Sequence, residues 1–228
     1  MNLIPVKIPL VLKKMFPNYI WNIPTKQKVI YLTFDDGPTP EITNWVLDLL
    51  KQYNAKATFF CIGNNVAKHP EVFQDILKEG HIIGNHTYNH VKGWQTKTDA
   101  YVENVQLAAE VIESQIKKST FKNRLSKTSN SESSISNLFR PPYGQISPKQ
   151  GKSLIKLGYK IIMWEVLSID WELTVTPEKC LKNVITKAQP GSVVVFHDSV
   201  KASKNLKYAL PKVLAHFSDL GYVFHGIS

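Results

Sequence analysis

A chain of 228 residues with 43% hydrophobic content can build one large core, which excludes a disordered, fibrous or disulfide-stapled miniature fold. No apolar run reaches the roughly 20 residues a spanning helix needs, so no transmembrane segment is expected. The net charge of +10 comes from lysines spread along the chain, with no nucleic-acid motif behind them; it reads as solubility, with attraction to an anionic polymer such as a cell-wall glycan as the weaker functional reading.

The opening MNLIPVKIPLVLKKMFPNYIW is apolar but broken by Lys7, Lys13, Lys14 and three prolines. No small-residue cleavage site follows it, so it is not read as a secretory leader. Residues 1–27 are expected to pack on or flank the domain, and location stays open between the cytoplasm and the cell envelope. From residue 28 short apolar runs alternate with amphipathic ones. KVIYLTF predicts a strand, followed by a helix from about Glu41 to Tyr53. KATFFCI predicts the next strand, with Cys61 as a buried small apolar residue. Helical turns through HPEVFQDILKEG stop at Gly80, and HIIG predicts a short strand. In DAYVENVQLAAEVIESQIKK, Tyr101, Val105, Ala108, Ile112 and Ile116 recur at helical period. LF, YKIIMWEV and SVVVF read as three further strands, a helix is expected from about Asn205 to Leu220, and YVF closes the series. SKTSNSESSISN, residues 126–137, holds six serines and one apolar residue, so a mobile surface loop is expected at about 119–137. Cys61 and Cys180 are too few for a disulfide framework or a zinc knuckle.

Strand–helix alternation with near-continuous apolar strands implies a parallel sheet covered by helices. A single closed or distorted α/β barrel over residues 28–228 fits better than an open doubly wound sheet, because no Gly-rich phosphate loop follows the first strand. Five polar clusters then fall at the carboxyl ends of strands: TFDDGP, GNHTYNH, RPPYG, IDW and HD. In parallel α/β barrels that face carries the chemistry.

His86 and His90 stand four positions apart. On a helical turn their imidazoles would share one face, close enough to reach one zinc, but the pair needs a third, anionic ligand. Asp35 and Asp36 are adjacent acids at a strand end, whose mutual repulsion a cation relieves. One can bind a metal while the other faces its water; taken alone, DDGP also reads as a turn with solvated acids.

With TFDDGP, HTYNH, RPPYG, IDW and FHD in this order, residues 28–225 resemble the polysaccharide deacetylases, carbohydrate esterase family 4 with its NodB-homology domain. The resemblance implies a distorted (β/α) barrel, an N-acetylated glycan as substrate and a divalent metal, usually zinc. It implies that Asp36, His86 and His90 bind the metal and that Asp35 is the general base, paired with Arg140. It further implies that the backbone N–H of Tyr143 stabilises the oxyanion, that His197 is the acid, and that Asp170 orients it. Pro142 and Tyr143 fall in the substrate-contacting RPPYG motif, and Trp171 and Val195 would flank the acetyl methyl. Asp198 is expected to serve as a structural hydrogen-bonding group. Two features depart from the family: Leu167 stands where an earlier acid is common, with Glu165 displaced by two, and the serine-rich insertion precedes RPPYG. A silent glycan-binding module, or an amidase or O-acetyl esterase on another substrate, is the alternative.

Overall fold

A computed structural model describes residues 5–125 and 137–227. Its strands are β1 (Val29–Asp35), β2 (Thr58–Cys61), β3 (Ile82–Asn85), β4 (Leu138–Phe139), β5 (Lys160–Ile161), β6 (Val166–Leu167), β7 (Val193–His197) and β8 (Val223–Phe224). They form one parallel sheet in the order β5-β4-β3-β2-β1-β7-β6, with β8 beside the start of β1. The helices are α1 (Leu10–Met15), α2 (Ile42–Gln52), α3 (Gly63–Lys68), α4 (Pro70–Lys78), α5 (Thr98–Leu125), α6 (Pro148–Lys156), α7 (Pro177–Ile185) and α8 (Ser203–Asp219).

The period-2 alternation of β1 decides which side chains meet helices and which meet the barrel interior. Phe34 lies in register with Phe59 on β2 and Phe196 on β7, and the three rings stack at 5.0 and 6.3 Å beneath the helices. Thr33 and Asp35 take the opposite face. Asp35 is in register with His197, so two of the expected site residues are lateral neighbours at one end of the sheet.

The run YKIIMWEV, expected as one strand, is two. β5 and β6 lie at opposite edges of the sheet, although only four residues lie between Ile161 and Val166. That stretch spans at most about 17–18 Å, so the two edges are drawn together and the sheet curls into a barrel with a seam. An unbroken apolar run cannot signal this break, because both halves are buried. The helix α5 also runs to Leu125, so residues 119–125, assigned above to the serine-rich loop, are helical; no Pro or Gly interrupts them. The rest of that loop, 126–136, lies outside the described residues.

The N-terminal segment lies along the seam. Val6 and Ile8 exchange backbone hydrogen bonds with Leu167 and Glu165 at the free edge of β6, at 2.8 and 3.0 Å. Ile20 bonds to Ile161 and Met163 at 2.9 and 2.7 Å, and Ile23 N–H donates to Gly191 at 2.8 Å. Ile8 and Trp21 are buried in this contact. Lys13 Nζ reaches Glu165 Oε1 at 2.6 Å and Asn22 Oδ1 at 3.0 Å, while Ser192 Oγ donates to Glu165 Oε2 at 2.6 Å. Glu165 is 4% exposed, so removing its cation strands a buried carboxylate. Lys13→Met is expected to destabilise the fold by about 3–5 kcal/mol, the usual cost of breaking a buried pair from one side. Chemical denaturation checks this; a change below about 1 kcal/mol would mean that the pair is solvated.

Candidate active site

All five polar clusters emerge from the carboxyl ends of β1, β3, β4, β6 and β7. The left-handed φ of 80° at Asp36 turns the chain sharply after Asp35, and Asn65 Nδ2 ties down the Asp36 carbonyl at 2.7 Å. Gly37 follows, where an added Cβ would lie 2.0 Å from Asp198 Oδ2, so only glycine fits. Asp198 is fully buried. It accepts from the Gly37 N–H at 3.1 Å and from the Thr43 hydroxyl, locking the DDGP turn to the end of β7. Burial pushes its carboxyl up to about 7, against the pull of the Thr43 bond. This is the structural role expected of it.

His86 and His90 do not sit on a helical turn. Thr87 and His90 have φ of 64° and 54°, and the loop is held by side-chain oxygens instead. Asn85 Oδ1 accepts from Thr87 N–H at 2.8 Å; Asn104 Oδ1, from α5, accepts from Tyr88 and Asn89 at 2.9 and 3.0 Å. Asn104 was missed by the sequence reading. Its only signal is an amide placed beside the apolar stripe of Tyr101, Val105 and Ala108.

Asp36, His86 and His90 nonetheless converge, their ligating atoms all within 4.8 Å of one another. Asp36 Oδ1 lies 3.7 Å from His86 Nε2 and 3.2 Å from His90 Nε2. Ligands at 2.0–2.1 Å from a tetrahedral zinc stand about 3.3 Å apart, so the spacing fits. The proton inventory points the same way. His86 Nδ1 donates to the Arg140 carbonyl at 2.8 Å. Burial lowers the titration of His86 to about 4, despite the opposing charge of Asp35, so at neutral pH Nε2 carries a lone pair. That lone pair faces Asp36 Oδ1, itself buried with no hydrogen-bond partner among the described residues. Two acceptors so placed are satisfied by a cation between them.

On one side of this group stands Asp35. Arg140, fully buried, donates from Nη1 to Asp35 Oδ1 at 2.6 Å and to Thr33 Oγ1 at 2.7 Å. Its Nε and Nη2 bond to the carbonyls of Ile162 and Met163 at 3.2 and 2.9 Å, and its guanidinium lies 4.0 Å over the Phe60 ring. All three nitrogens of the cation are engaged, so the Asp35 carboxylate is fixed in position and has its counter-charge.

On the other side stands His197. The two oxygens of Asp170 grip it twice: Oδ1 meets ring Nδ1 and Oδ2 accepts the backbone N–H, each at 2.8 Å. Asn205, also missed, holds the Asp170 carbonyl at 3.1 Å. Burial works to lower the His197 titration, but the charge and hydrogen bond of Asp170, helped by Asp36 and Asp35, outweigh it and raise it to about 9. Trp171 meets the His197 ring edge-on at 4.6 Å, and Val195, Leu167 and Ile169 form a small buried apolar cluster against it. Leu167 belongs to that cluster, and Glu165 is spent on Lys13 and Ser192, so neither supplies a second acid here. In RPPYG, Pro142 is buried and Tyr143 adopts φ 58°, which holds its half-exposed ring 4.6 Å from His90. Of the other histidines, His81 is buried and accepts the Ala57 N–H at 3.2 Å, and His69 starts α4; neither approaches this face.

A parallel α/β barrel whose two-imidazole, one-carboxylate group could hold a cation, with an Asp–Arg and a His–Asp pair nearby, has the layout of a hydrolase. The chain belongs to the polysaccharide deacetylase family, whose profile it matches over residues 22–162. It is 33% identical over 210 residues to a peptidoglycan-N-acetylglucosamine deacetylase of Bacillus cereus, covering 91% of this chain and 90% of that one. It is similar to a peptidoglycan N-acetylglucosamine deacetylase crystallised with 4-naphthalen-1-yl-N-oxidanyl-benzamide, with a TM-score of 0.80 and 31% identity over 96% of this chain and 95% of that one. A mutant of a CE4 family pseudoenzyme with restored enzymatic activity matches with a TM-score of 0.75 and 25% identity, over 91% of this chain and 69% of that one.

Proposed function

We propose that the protein is a metal-dependent deacetylase that hydrolyses the acetamide of N-acetylglucosamine units in a glycan. The observation that carries this is the convergence of Asp36, His86 and His90 between the Asp35–Arg140 and His197–Asp170 pairs. A divalent cation, zinc by the donor set, would be held by those three residues and supply Lewis acidity toward water and the acetamide carbonyl. Asp35, held in place by Arg140, takes a proton from the attacking water as its oxygen bonds to the carbonyl carbon. The backbone N–H of Tyr143, from the turn fixed by Pro142, donates to the oxyanion that forms. His197, held protonated by Asp170, then passes its proton to the amine as the C–N bond breaks, so acetate and a free amine leave. Trp171 and Val195 border the apolar pocket for the acetyl methyl.

The family also contains inactive members, so a silent glycan-binding module is the competing reading. Against it, every residue proposed as base, acid or metal ligand is present, and the Asp35–Arg140 and His197–Asp170 pairs are formed. Acetate release from chitooligosaccharides, peptidoglycan and acetylated xylan, with zinc supplied, tests the proposal. Release from the N-acetylated glycans is expected; release from xylan alone would favour O-acetyl ester chemistry, and none from any would favour the silent module.

A further inference from the structure

Helix α1 keeps three large apolar side chains in water. Leu10 is 72% exposed, Val11 70% and Met15 66%. At about 100° per residue, Leu10, Lys14, Val11 and Met15 follow one another around an arc of about 140°. Leu12 turns to the other side and, with Phe16 just beyond the helix, packs against the cluster of Tyr101, Phe139 and Leu154. The helix therefore has its inner face already, and the exposed arc is a second, apolar one. Single exposed apolar residues need no account, but three on one face form a patch that forgoes its burial energy. Residues 10–15 also precede the stretch matched by the family profile, which begins at 22.

The charges around the patch state what covers it. Lys14 is exposed on the same face, and no carboxylate pairs with it among the described residues. Lys7, just before the helix, rests its ammonium on the Lys187 carbonyl at 3.3 Å. No Asp or Glu occurs in the sequence before Asp35, and Glu165, which Lys13 reaches from α1, is buried and already paired. A second copy of the chain fits this face poorly. A stable interface buries roughly 800 Å² on each partner, more than three side chains of this size expose, and two copies would bring lysine against lysine. A lipid surface needs no matching shape. It takes a few apolar side chains between its headgroups while anionic headgroups attract the lysines, and the two contributions together sustain peripheral binding.

We propose that α1 docks the protein on an anionic bilayer, with Leu10, Val11 and Met15 entering the headgroup region and Lys14 and Lys7 against its phosphates. The inference stands apart from the deacetylase reading. The position of α1 suits it. Lys13 ties the helix to Glu165, the residue before β6, and Ser192, the residue before β7, holds the same carboxylate. α1 is thus fastened at the amino ends of strands whose carboxyl ends carry the candidate site. A membrane held there leaves the site open to a polymer on the other side.

The test is co-sedimentation of the full chain with vesicles of phosphatidylcholine alone or with phosphatidylglycerol added. The wild type should partition onto the anionic vesicles roughly tenfold better than onto the neutral ones, and the difference should shrink as salt is raised. Replacing the three apolar residues together (Leu10→Ser, Val11→Ser, Met15→Ser) should lower partition by roughly tenfold or more at an unchanged melting temperature. Lys14→Glu should weaken binding to the anionic vesicles alone, and Val11→Trp should strengthen binding to both. Soluble polyglutamate reports charge by itself, and the triple variant should bind it as the wild type does. Two vesicle results would overturn the proposal: a wild type that stays in the supernatant, or a triple variant that sediments with anionic vesicles as fully as the wild type. The second would leave the net charge of +10 as the whole cause. A wild-type dimer in analytical ultracentrifugation that the triple variant breaks would assign the patch to a second copy and overturn it too. Should the triple variant melt early, Val11→Trp decides: tighter binding supports docking through α1, and unchanged binding refutes it.

Discussion

Replacing His86 with alanine is expected to strip the bound cation and lower turnover by at least about a thousandfold, since several kcal/mol of charge stabilisation leaves with it. The structure gives the reason in three contacts. The ring is buried, its Nδ1 proton is committed to the Arg140 carbonyl, and its Nε2 lies 3.7 Å from Asp36 Oδ1, which has no hydrogen-bond partner among the described residues. Without an imidazole there, Asp36 and His90 remain as a two-point site. Elemental analysis of zinc-reconstituted protein should fall from one equivalent to near none, and a chelator should silence the wild type reversibly. Zinc should also raise the melting temperature of the wild type and leave that of His86→Ala unmoved, because only a site on the folded state stabilises by mass action. A variant that retains stoichiometric zinc would show that the cation is held elsewhere.

The second large effect belongs to His197. His197→Ala should keep its metal and lose about 10²–10⁴ in kcat, the usual contribution of a positioned general acid. The sign of the pH dependence follows from its raised titration. The acid works only while protonated, so kcat/KM should fall as pH rises through about 9. A dication held by Asp36 would cancel part of that carboxylate's pull and bring this limb lower. Asp170→Asn removes the leading support and should shift the limb lower still, whereas a structural loss would depress the profile without moving it. Stability follows the same rule. The His197–Asp170 pair contributes fully below the unfolded value of about 6.5, and its contribution is lost as pH rises through about 9. A flat alkaline limb in the wild type would remove His197 from proton transfer.

The strand ends were legible because buried parallel strands read as apolar runs and polar clusters mark where each stops. Asp35 and His197 could be placed on one face from TFDDGP and VVVFHD alone. The conformation of HTYNH was not legible. A four-residue spacing suggests a helical turn, but the loop takes its shape from Asn85 and from Asn104 on a distant helix, whose amides no local pattern announces. YKIIMWEV failed for a related reason: a seam depends on which edges meet, and hydrophobicity records burial without recording the neighbour. Three of the four bonds that fix Arg140 were likewise invisible, since Thr33, Ile162 and Met163 carry no polar signature of a site.

The strap of residues 6–23 across the seam has a practical corollary for anyone trimming the chain. Cutting at residue 22, where the family profile begins, or at residue 28, just before β1, would lay bare the hydrogen-bonding edge of β6 and the greasy underside that Ile8 shields. An uncovered ladder of that sort recruits strands from other molecules, so a shortened version would be prone to clumping while its catalytic mouth remained nominally complete.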